Sequence, residues 1–189
     1  WFSRNVWDHN RNLALNREGE TALSADSNSR QMLALGIQDF IQLHGMSPDT
    51  FWRYLVDVDH TFAIDTTYKG NKVRLYDLAD EDQARTRMVD GLKEKGTMRN
   101  GFVEVTAEFI TVYKEAAKYF TAKGRPDLAQ QASDQADYYQ HQIETVQGNK
   151  PGLPQALIKG VDSGYNYLTA VGDYSLAPLM QFQLSKSGD

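Results

Sequence analysis

The sequence predicts a predominantly helical α+β fold: an antiparallel helix pair packed with further helices and a small antiparallel sheet. Three observations carry this. Phe102, Val105, Phe109, Val112, Ala116 and Phe120 recur at steps of 3, 4, 3, 4 and 4, and Leu128, Ala132, Ala136, Tyr139, Ile143 and Val146 at 4, 4, 3, 4 and 3, the spacing of one helix face. Gly124-Arg125-Pro126 between the two runs folds them into an antiparallel pair. Over residues 61–77 the period changes to two on either side of Lys69-Gly70-Asn71, the pattern of a hairpin.

In chain order, Trp1, Phe2, Val6, Trp7, Leu13 and Leu15 suggest one short helix within residues 1–15, and residues 16–29 are polar and read as a loop. Ser27 or Ser29 caps the next predicted helix, over 30–44, whose apolar face is Leu33, Ile37, Phe40, Ile41 and His44. Gly45 ends it, and Ser47-Pro48 supplies an N-cap and a first-turn proline for a helix that ends near Asp57. Asp80 and Gln83 open a further helix over 80–95 with Ala84, Met88, Val89 and Leu92 inward, a capping-box pattern. After the helix pair at 102–147, residues 148–154 (GNKPGLP) read as an internal linker and 155–159 as a single helical turn. The C-terminal segment is β-prone, with Tyr165, Tyr167, Thr169, Val171, Tyr174, Leu176, Met180 and Phe182 in short strands and Pro178 marking an edge. The 189 residues read as one domain, with 1–29 as an N-terminal extension.

Composition narrows the function classes. The net charge is −5, and acids and bases alternate without a basic patch, so neither nucleic acid nor an anionic membrane surface is an expected partner. There is no cysteine, which removes disulfides, thiolate metal sites and thiol nucleophiles. This fits an exported, periplasmic bacterial protein and equally a cytosolic one. The chain begins at Trp1, so an upstream segment is expected, and membrane contact only through it.

Asp57-Val58-Asp59-His60-Thr61 is the candidate chemical motif. It resembles the DxDxT signature of haloacid-dehalogenase-type phosphohydrolases. The resemblance implies Asp57 as phosphoryl-accepting nucleophile, Asp59 as general acid/base, Thr106 as phosphate-binding threonine and Lys150 as the family's lysine. It further implies Mg²⁺ held by Asp57, Asp59 and Asp173, the last within Gly172-Asp173. His60 stands where the family has glycine, and Ser47-Pro48 predicts a helix where the family has a buried parallel strand. Without the resemblance, Asp57, Asp59, His60 and Asp65 are a candidate set for Zn²⁺, Mn²⁺ or Mg²⁺, or simply polar residues at a helix–strand junction. Residues 113–136 also resemble one tetratricopeptide unit through Tyr113, Ala117, Phe120, Gly124, Ala129 and Ala136. An ordinary helical hairpin places small residues in the same way, and a solenoid needs several stacked copies.

Tyr165, Tyr167 and Tyr174 are the candidate binding residues, since amphipathic aromatics on a strand face are favoured at interfaces. The reading is a non-catalytic interaction or assembly module with a protein partner and no cofactor. The alternative is the Mg²⁺-dependent phosphohydrolase.

Overall fold

The computed structural model describes residues 7–8, 10, 13–14, 23–78, 85–89, 92–96, 99–157 and 176–187. Strands β1 (Trp7–Asp8) and β2 (Leu13–Ala14) pair antiparallel, where a short helix was expected. Helix α1 spans Ala25–Leu35 and α2 spans Ile37–Leu43. The single helix expected over 30–44 is therefore two, and it starts earlier, inside the stretch read as a loop. Gly36 makes the break, at φ 79° and ψ 148°, a conformation open essentially to glycine alone. The N-cap position is Ser24. Ser29 is instead inside α1, donating its hydroxyl to Glu108.

Helix α3 (Pro48–Phe62) begins as expected, with Ser47 Oγ accepting from Thr50 N at 3.2 Å and proline in the first turn. It does not end near Asp57. Phe51, Tyr54, Leu55, Val58 and Phe62 are all buried, and their spacing keeps one helical stripe against the core for a further turn. Strands β3 (Ala63–Tyr68) and β4 (Asn71–Tyr76) form the expected hairpin. Its two-residue turn places Lys69 at φ 49° and Gly70 at φ 86°, the left-handed pair of a type I′ connection.

Strands β5 (Arg85–Val89) and β6 (Leu92–Gly96) pair antiparallel, where a helix over 80–95 was expected. Asp90-Gly91 between Val89 and Leu92 is a strong two-residue hairpin sequence. Among the described residues every sheet is two-stranded.

Helices α4 (Val103–Ala122) and α5 (Pro126–Gln147) are the expected antiparallel pair and make the most extensive packing among the described elements. Both apolar stripes are buried. Past α5, Ala156 bridges Phe102, and Leu157 N donates to Gly101 O. No helical turn forms over residues 155–157, where one was expected over 155–159, and residues 158–159 lie outside the described residues. The C-terminal strands are also corrected: Leu176–Lys186 is helix α6. Pro178 lies in its first turn, where proline removes no helical hydrogen bond. Pro178, Phe182 and Ser185 face inward at helical spacing. Tyr165, Tyr167 and Tyr174 lie outside the described residues.

The fold is thus predominantly helical α+β. Helices α1, α2 and α6 pack against α4, and β4 packs against α4 and α5. An aromatic seam runs through the core: Trp7 stacks on His44 at 4.0 Å, and Tyr54, Phe40, Phe51 and Phe120 continue it. Burial of each such side chain stabilises by about 1.5–3 kcal/mol.

Candidate functional site

The two motif carboxylates do not share a site. Asp57 and Asp59 lie in the last turns of α3, where residues two apart point about 200° from each other around the axis. On a strand, the same spacing would put both on one face. Asp57 is exposed, and Asp59 turns inward with 16% of its side chain accessible. Thr61 spends its hydroxyl on Asp57 O at 2.8 Å, within the helix.

Asp59 is the centre of a network joining four elements. Its Oδ1 accepts from Tyr139 OH of α5, from Tyr76 OH of β4 at 3.1 Å and from Gln135 Nε2 of α5 at 3.4 Å. Its Oδ2 accepts from an Arg74 guanidinium nitrogen at 3.0 Å. Tyr76 OH lies 3.0 Å from Tyr113 OH of α4. Each phenol has one proton, and that of Tyr76 goes to Asp59, so Tyr113 is the donor to Tyr76. Burial, and then the Asp59 charge, hold the Tyr139 and Tyr113 phenols well above their ordinary range. Burial first, then the neighbouring phenols and Asp59, do the same for Tyr76. All three are therefore protonated donors at neutral pH. Burial lowers the Arg74 pKa, but the Asp59 hydrogen bond and nearby negative charge outweigh it and raise it overall.

Arg74 also bonds Asp65 Oδ2 at 2.9 Å. The positive charge between Asp59 and Asp65 is thus a guanidinium, in the place a metal would occupy if these two carboxylates held one. Among the described residues no group of three His, Asp or Glu side chains is arranged to hold an ion. The other residues of the motif set disperse. The Thr106 hydroxyl is buried, donating to Phe102 O at 2.7 Å and accepting from Tyr76 N at 3.0 Å. Lys150 is exposed beyond the end of α5, His60 is exposed, and Asp173 lies outside the described residues.

Three further carboxylates that the sequence reading did not single out, Asp26, Asp77 and Glu108, are buried among the described residues. Asp77, fully buried, accepts from Arg99 Nε at 2.8 Å, Asn100 N at 3.2 Å and Leu78 N at 2.7 Å. The other arm of Arg99 donates to Thr61 O and Phe62 O, both at 3.1 Å, at the carbonyl end of α3, where Phe62 O also accepts from Asp77 N at 2.9 Å. Glu108 of α4 accepts from Ser29 Oγ at 2.5 Å and Arg30 Nε at 3.2 Å. Burial raises its pKa, against the opposing pull of Ser29 and Arg30. Its signal was legible: an acid flanked by Ala107 and Phe109 in the most apolar helix of the chain.

A groove of about 460 Å³ lies beside the Asp59 network, between the outer face of the β3–β4 hairpin and α5. Asp65, Thr67, Lys72 and Arg74 line one wall, Tyr138 and Gln142 the other. Chemically, the Asp59 cluster is a closed lock. Its carboxylate accepts from Tyr76, Gln135, Tyr139 and Arg74, which suits fixing four elements in register. Among family models, curated proteins and solved structures, none matches this chain.

Proposed function

We propose that this chain is a non-catalytic interaction module that docks a protein partner through the outer face of α6. The observation that carries the reading is the pair Met180 and Leu184, 64% and 62% exposed. They lie one helical turn apart on the same face, while Phe182 on the opposite side is fully buried. In support, the carboxylates Asp59, Asp77 and Glu108 are each committed to internal donors. Two side chains cover far less than the roughly 800 Å² per partner of a stable complex, so the contact is of the transient class.

The test is site-specific photo-crosslinking in the source cell, with the crosslinker at Met180, at Leu184, or at the exposed Gln130 as control. A discrete adduct from the first two positions and none from the third is expected. Equal labelling at all three would refute the docking face. The competing class, a phosphohydrolase using Asp57 and Asp59, predicts Mg²⁺-dependent hydrolysis of para-nitrophenyl phosphate that is lost in Asp57→Asn. The binding reading predicts no such turnover.

A further inference from the structure

The groove between the hairpin and α5 has a chemistry that the docking face on α6 does not share, and we propose that it binds a neutral saccharide. Four observations carry this. First, its volume of about 460 Å³ lies within the roughly 300–1,000 Å³ of small-molecule sites. Second, its charges cancel. Lys72 and Arg74 stand against Asp65 on the wall and Asp59 behind it, so the formal charges sum to zero and an ionic ligand of either sign gains little net attraction. Third, the polar wall mixes donors and acceptors. Gln142 Oε1 accepts from Arg74 N at 3.0 Å, which fixes the amide and leaves its N–H₂ group for a ligand. Asp65 gives one oxygen to Arg74 and keeps the other, and the exposed Thr67 adds a hydroxyl. Sugar hydroxyls are donors and acceptors at once, and match such a wall better than a group of one kind. Fourth, Tyr138 is 41% exposed and lines the groove. It offers a flat apolar face to the C–H side of a pyranose, and amphipathic aromatics of this kind favour surfaces that are apolar on one side and wet on the other.

The wall is also pre-organised. Arg74 is pinned by Asp59 and Asp65, and the strand carrying it is tied to α5 through Gln142. Ordering Arg74 and Gln142 therefore adds little to the cost of binding.

The experiment is an amide-resonance titration of the full chain with cellobiose, maltotriose, chitobiose and, separately, inorganic phosphate. The expected result is that at least one neutral saccharide shifts resonances confined to residues 65–74 and 138–142, and that phosphate does not. Tyr138→Ala is expected to weaken that binding by about tenfold, and Thr67→Val to weaken it less, each with an unchanged thermal melt. If Tyr138→Ala proves unstable, the Thr67→Val comparison alone decides. The proposal is overturned if no saccharide shifts the groove at millimolar concentration, if phosphate shifts it as strongly, or if the folded variants bind like wild type.

Discussion

At the residue scale, the informative contrast is between two aspartates that the sequence presents as a pair. Asp59 accepts from Tyr76, Tyr139, Gln135 and Arg74, whereas Asp57 is exposed. Replacing a carboxylate that several partly buried donors depend on leaves those donors underused, at a cost of about 1–3 kcal/mol. A surface replacement away from any network stays within about 0.5 kcal/mol. Urea denaturation of Asp59→Asn and Asp57→Asn is expected to show that difference, and equal losses would mean that the network is not holding the fold. Glu108 gives a second prediction. In the unfolded chain it ionises near its ordinary 4.5, and burial raises that value in the folded state. Between the two values the folded state holds more protons, so stability falls as pH rises through this window. Glu108→Gln removes the titration. The stability of wild type minus that of the variant should therefore decline from pH 4.5 upward and then level off, and parallel curves would contradict the assignment.

At the element scale, the start of α3 was legible and its end was not. Ser47-Pro48 opens α3 as read, because capping is a local exchange of hydrogen bonds between neighbours. Ser47→Ala is expected to lower the unfolding free energy by about 1 kcal/mol, measured in urea. The end of α3 was misplaced because Phe62 suits both a strand of period two and the helical stripe of Val58 and Tyr54. What settles it is Arg99, which reaches from beyond the hairpin to the terminal carbonyls of Thr61 and Phe62. The misreading of 85–96 differs in kind. Met88, Val89 and Leu92 fit a helical stripe, while Asp90-Gly91 between them is a two-residue hairpin sequence. Likewise the alternation through Leu176, Met180 and Phe182 suggested a strand, where the observed helix uses Pro178, Phe182 and Ser185.

At the scale of the whole molecule, α6 closes the structure from the far end of the chain. Phe182 is fully buried, Lys186 bonds Glu144 of α5 at 2.8 Å, and the helix lies along α4. Phe182→Ala should therefore cost about 3–5 kcal/mol, close to a core position in the long helices themselves, and a loss below about 1 kcal/mol would show that α6 is not part of the core. The sequence by itself determined the helix pair, the hairpin at 63–76 and the predominance of helix, because each follows from the spacing of apolar residues and from turn chemistry within a few positions. Only the tertiary structure decided the character of Asp57-Val58-Asp59. A motif of two carboxylates has one meaning on a strand, where both face the same way, and another on a helix, where they part. The buried stripe of Tyr54, Leu55, Val58 and Phe62 keeps the motif on a helix, and Arg74, Tyr76 and Tyr139, which no local pattern places beside Asp59, give Asp59 its partners.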